Sequence, residues 1–252
     1  MTARRTVLTG LLVSLALAAC AAPARTAETR IAVAANFAEP AQEIAARFEA
    51  TTGHRAVLSF GSSGQFFAQI ANGAPFDVFL SADAERPIKV EADGLSVRGS
   101  RFTYATGRLV LWSRTPGLVD GGGAILARGG FDKLALADPK TAPYGLAAVE
   151  TLRRLGLSER LSPRLVTGTS ITQAYQFTDT GAAELGFVAL SQVVGHDRGS
   201  RWIVPATHHS PIAQQAVLLK RGADNAAARA FMVFLKGPEA RAIIRRYGYE
   251  VG

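Results

Sequence analysis

Soft metal ligands are scarce: the 252 residues hold one cysteine, Cys20, and four histidines. No thiol lies beyond position 20, which excludes an internal disulfide, a thiolate metal site and a cysteine nucleophile. His208 and His209 are adjacent, a spacing that in a strand points them apart, and His54 and His196 stand alone, so zinc is not expected. Neither a P-loop nor a G-x-G-x-x-G fingerprint occurs, and G-S-S-G at 61–64 is not a G-x-S-x-G nucleophile elbow. The formal net charge is +8, but the 28 Lys and Arg form no block and no aromatics interleave with them. That distribution describes a basic soluble surface, not a nucleic-acid interface.

The first residues read as an export leader. Arg4 and Arg5 precede an apolar run from Val7 to Ala19, too short to span a bilayer as a helix. L-A-A-C at 17–20 is similar to the lipobox of bacterial lipoproteins, whose cysteine becomes the lipidated first residue. The A-P-A triplet ending at Ala24 offers ordinary cleavage instead. Both routes lead to an exported protein, either free in the periplasm or anchored to a membrane through Cys20.

The whole chain carries 48% apolar residues, enough for a core. Short apolar runs alternate with helical periodicities: Ile31–Ala35, helix 38–51, Ala56–Phe60, helix 62–72, Val78–Ser81. This β-α-β-α-β order predicts a parallel sheet covered by helices. Two strand-like runs, 102–106 and 108–112, interrupt it. A second β-α series follows, with strands at 134–137, 165–167 and 185–189 and helices at 144–155 and 171–177. Strand-like runs at 202–204 and 213–219 and helices at 225–235 and 238–247 close the chain. Two α/β units between which the chain crosses twice imply a cleft, where ligand sites concentrate.

Four loops share one design, each leaving an apolar strand and opening a helix: A-A-N-F-A-E-P at 34–40, F-G-S-S-G at 60–64, D-P-K-T-A-P-Y-G at 138–145 and T-G-T-S-I-T-Q at 167–173. A fifth, S-A-D-A at 81–84, ends a strand. Helix N-termini beyond strand carboxyl ends present unpaired N–H groups and partial positive charge, which suits an oxyanion. Glycines let the backbone approach it, and Ser hydroxyls and an Asn amide add inward-pointing donors. Ser, Asn and Gly are also ordinary N-caps, so one loop proves nothing; several at one sheet edge argue for a site. Asp77, Asp83 and Asp138 at strand edges read as helix caps or partners of arginines. Ser63 leaves a serine hydrolase as the alternative from another class, with no motif to support a triad.

At these loops the chain resembles the molybdate-binding protein of the molybdate ABC transporter, a type II periplasmic binding protein. The matching stretches are A-A-N-F, S-F-G-S-S-G-Q, Q-I-A-N-G-A-P-F-D-V-F-L-S-A-D and A-D-P-K-T-A-P-Y-G-L-A-A. S-I-T-Q-A-Y-Q-F-T-D-T-G-A-A-E-L-G-F-V-A-L-S and F-L-K-G-P-E-A-R-A-I-I-R-R-Y-G-Y complete the set. The resemblance implies a two-lobed α/β fold, each lobe a mainly parallel sheet flanked by helices, joined by two crossing strands. Residues 1–27 would be leader and linker, 28–106 with 205–252 lobe I, and 107–204 lobe II. It implies a monomer without enzymatic activity or cofactor that passes molybdate, and tungstate, to a membrane permease. Molybdenum would enter only as the oxyanion, without protein–metal bonds. Carried over by position, the ligand would meet Asn36, Ser63 through hydroxyl and N–H, and the backbone N–H groups of Ala82, Tyr144 and Ile171. Some relatives also supply a tyrosine hydroxyl where this chain has Ala189, so that donor is missing. A fully deprotonated dianion only accepts hydrogen bonds, whereas hydrogen phosphate brings a proton that would face a donor, at a cost of about 1–3 kcal/mol. Sulfate, the alternative ligand, lacks that proton and must be told apart by size.

Overall fold

The computed structural model describes residues 26–195 and 197–251; the leader with Cys20 and Ala24, and His196, lie outside them. The first unit opens with β1 (Glu28–Ala34), a 3-10 turn at Ala35–Phe37 and α1 (Ala38–Thr52). It continues through β2 (Arg55–Gly61), α2 (Ser63–Ala71), β3 (Val78–Ser81), α3 (Glu85–Ala92) and β4 (Phe102–Gly107). Next come β5 (Leu109–Ser113), α4 (Ile125–Arg128), β6 (Leu134–Ala137), α5 (Pro143–Arg154), α6 (Ser158–Leu161), β7 (Leu165–Gly168), α7 (Ile171–Asp179), β8 (Leu185–Ala189) and β9 (Ser200–Ile203). The chain ends with β10 (Ile212–Leu218), α8 (Ala226–Lys236) and α9 (Pro238–Arg246).

Two five-stranded sheets result, ordered β2-β1-β3-β10-β4 and β7-β6-β8-β5-β9. Each is mixed. β1 pairs in parallel with β2 and β3, and β6 with β7 and β8, while β10 and β5 run antiparallel to both their neighbours. The chain leaves the first sheet after β4 and returns to it with β10. The parallel strands place the loops after β1, β2 and β3 at one edge of their sheet, and those after β6 and β7 at one edge of theirs. These are the five loops singled out above.

Local chemistry explains the helix starts. The Ser62 hydroxyl accepts the Gln65 N–H while the Gln65 side chain reaches back to the Ser62 N–H, a capping box that opens α2. Ser170 caps α7 through the Gln173 N–H, Asn225 caps α8, and Pro143 opens α5 at a position where its missing N–H costs nothing. Gly53, at φ 70°, ends α1 in the left-handed region. The pattern did not predict α3, which carries Pro87 in its first turn, buries only Pro87 and Val90 and leaves Ile88 half exposed.

Both faces of the first sheet are covered, as its near-continuous apolar strands require. Ile31 and Val33 meet Phe48 of α1 and Phe231 of α8, while Ala32 and Phe79 face Phe66 and Ile70 of α2. The second sheet packs Leu134, Leu136 and Phe187 against Ala148 and Leu152 of α5 and Ala174 of α7. Ala34, Ala35 and Ala82 of the first unit belong to that same buried cluster, so the two units meet in apolar contact around the cleft.

Candidate functional site

The cleft between the sheets is lined by Ala34, Ala35, Asn36, Gly61, Ser62, Ser63, Ala82, Ala142, Pro143, Tyr144 and Ile171. Its empty space, mouth included, is about 210 Å³. All five residues expected from the sequence, Asn36, Ser63, Ala82, Tyr144 and Ile171, lie together here, and each is at least nine-tenths buried. No lining residue carries a charge. The N-termini of α2, α5 and α7 converge on the space, so the lining itself offers positive potential through helix ends. As first-turn positions, the N–H groups of Ser63, Tyr144 and Ile171 have no acceptor within their helices. Asn36 is the middle residue of a 3-10 turn, and its N–H has no acceptor within that turn either.

Two details differ from the simple picture of inward-pointing donors. The Ala82 N–H donates to the Ser63 hydroxyl at 2.9 Å, so in this structure it reaches the cleft through Ser63. The hydroxyl that accepts it still has its own proton to give. The Asn36 side-chain amide does not point inward. Its Nδ2 donates to Gln214 Oε1 at 2.9 Å and to Tyr249 Oη at 3.0 Å. Both partners lie far along the chain, which is why the local pattern suggested otherwise.

Behind Asn36 lies a buried polar cluster that sequence reasoning missed. Gln214, fully buried on β10, receives the Tyr104 hydroxyl at 3.0 Å and donates to the Tyr144 hydroxyl at 3.3 Å. Tyr249 donates to the Asn36 carbonyl at 2.7 Å, and Ser191 donates to the same carbonyl at 2.8 Å. Burial pushes Tyr104 and Tyr144 well above the usual phenol range. It raises Tyr249 to about 12, against the hydrogen bonds of Ser191 and Asn36. The cluster is therefore uncharged at neutral pH and adds no ion to the cleft. One signal was legible: a glutamine pair, Gln214-Gln215, inside an apolar strand, where a buried polar residue calls for partners.

The three aspartates are occupied structurally. Asp77 accepts the Arg30 N–H at 2.9 Å and Asn225 Nδ2 at 3.2 Å, Asp83 pairs with Arg86, and Asp138 accepts the Lys140 N–H at 2.9 Å. The adjacent histidines do not lie in a strand. His208 ends a 3-10 turn against Trp202, and His209 follows in extended backbone. Among the described residues no histidine lines the cleft, and no three His, Cys, Asp or Glu side chains gather as a metal site. Ala189, fully buried at the end of β8, is not among the lining residues.

Residues 29–250 match the family model of the bacterial extracellular solute-binding proteins. The chain belongs to this family. The molybdate-binding protein ModA of Rhodobacter capsulatus is 57% identical over 229 residues, covering 91% of this chain and 90% of the relative. ModA of Azotobacter vinelandii is 53% identical over 245 residues, covering 96% and 97%. The solved periplasmic molybdate-binding protein of Azotobacter vinelandii superposes with a TM-score of 0.87 at 46% identity, covering 89% of this chain and 99% of that one. This solute-binding protein thus shares their two-lobed architecture. It is a transport component and not an enzyme.

Proposed function

We propose that the protein captures molybdate, and tungstate as a close mimic, in the interlobe cleft and delivers it to the permease of an ABC transporter. The supporting observation is a fully uncharged lining on which three helix N-termini converge. A dianion without a proton accepts hydrogen bonds on every oxygen, and this lining supplies donors to match. In this reading the anion receives the N–H groups of Asn36, Ser63, Tyr144 and Ile171 and the Ser63 hydroxyl, with Ala82 polarising that hydroxyl. No full positive charge takes part, and no protein atom bonds the molybdenum. The high identity to molybdate-binding relatives favours this ligand over sulfate.

The protein acts as a monomer, exported to the periplasm, without a cofactor. Cys20 is its candidate lipid anchor, and mass spectrometry of the mature N-terminus distinguishes a diacylated Cys20 from a chain cut after Ala24. Calorimetric titration with molybdate, tungstate, sulfate and phosphate tests the ligand. Heat with the first two and none with phosphate is expected. Uptake of sulfate with no response to molybdate would overturn the assignment.

A further inference from the structure

The loop 138–142 of the second unit is gripped twice by the first. The Gly64 N–H donates to the Thr141 carbonyl at 2.8 Å, and Arg86 Nη2 donates to the neighbouring Lys140 carbonyl at 3.0 Å. Arg86 is in turn held by Asp83, whose Oδ1 accepts the Arg86 N–H at 3.1 Å and the Ser81 hydroxyl at 3.0 Å. The two donors come from the first turns of α2 and α3, the helices that follow β2 and β3, and the two acceptors are successive carbonyls just before α5. The clasp therefore lies beside the residues that line the cleft.

We infer that Gly64 and Arg86 form a clasp that holds the lobes closed over the bound anion, and that the second glycine of G-S-S-G serves this contact and not the anion. This rests on the reading of the cleft as an oxyanion site. Two observations carry it. The Gly64 N–H is spent on Thr141, so it has nothing left for a ligand. A Cβ at position 64 would stand 2.9 Å from the Thr141 Cα and 3.0 Å from its carbonyl oxygen, both main-chain atoms that cannot swing aside. Gly64 does not have a positive φ, so alanine suits the first lobe's helix as well as glycine does. The constraint on side-chain size arises only when the lobes meet. The α3 that supplies Arg86 is a helix the sequence pattern did not predict.

The test compares wild type with Gly64→Ala and with Arg86→Ala, using whichever of molybdate, tungstate or sulfate the wild type takes up. Gly64→Ala should melt without ligand at or above the wild-type temperature. Its anion should dissociate about ten-fold faster or more, with association nearly unchanged, because encounter uses the open form. Small-angle scattering should record a contraction of the wild type on adding the anion and none of Gly64→Ala. Arg86→Ala should show the same signature, weaker. A Gly64→Ala protein that contracts and releases its ligand at the wild-type rate overturns the clasp. So does one whose ligand-free melting temperature falls, since the glycine would then serve folding. A wild type that prefers sulfate sinks the molybdate assignment and leaves this comparison intact.

Discussion

The Tyr249 hydroxyl donates to the Asn36 carbonyl at 2.7 Å and accepts the Asn36 amide at 3.0 Å, joining the end of the chain to the first loop of the cleft. Asn36 therefore has its side chain committed to the protein, and its position in the cleft is set from behind. Tyr249→Phe removes both bonds and leaves one Asn36 amide proton without an acceptor, while Gln214 still holds the amide and Ser191 the carbonyl. It should cost about 1–3 kcal/mol of stability in a denaturant titration and also weaken molybdate binding. Unchanged affinity with lowered stability would show that the cluster does not orient the site.

The same cluster predicts an alkaline limit. Tyr249 is raised from the ordinary phenol value to about 12 by burial, and Tyr104 and Tyr144 are raised as well. A raised folded-state pKa contributes stability that is intact below the unfolded value of about 10 and is lost as pH rises through the folded value. Stability should hold to about pH 10 and then fall, with phenolate absorbance of the buried tyrosines rising together with unfolding. Full phenolate absorbance in a still-folded protein would contradict this.

Ser63→Ala removes one donor from the cleft and leaves the Ala82 N–H without its acceptor. Loss of about 1–3 kcal/mol, or roughly ten- to a hundred-fold in Kd, is expected by calorimetry. Ser63 Oγ receives a main-chain N–H, and no described histidine lines the cleft, so a fluorophosphonate should not label the wild type.

Asp77 gives a contrasting expectation. It sits before β3, at the end of the strand opposite the cleft, and gathers the Arg30 N–H, the Thr29 hydroxyl and Asn225. Asp77→Ala should lower stability by about 1–3 kcal/mol, read by chemical denaturation, while molybdate affinity stays within about two-fold. A large loss of affinity would mean that this end of the sheet communicates with the site.

Much of the fold was legible because it is local. Val78–Ser81, Leu134–Ala137 and Leu185–Ala189 are short apolar runs and became β3, β6 and β8 with those bounds. Ser62, Ser170 and Asn225 are caps whose partners lie within three residues. α3 was missed because its exposed Ile88 and early Pro87 blur the helical period. The mixed character of the sheets was likewise hidden, since direction of pairing is a property of two strands and not of one.

By itself the sequence determined which loops end strands and open helices, and that these loops bear small, uncharged donors, because caps and periodicities involve neighbours a few residues apart. Tertiary structure alone decided where those donors point. It turned the Asn36 amide toward Gln214 and Tyr249, 178 and 213 residues away, and gave the Gly64 N–H to Thr141. The first two bonds depend on distant segments meeting within one sheet's unit and the third on how the two sheets meet, neither of which a pattern along the chain records.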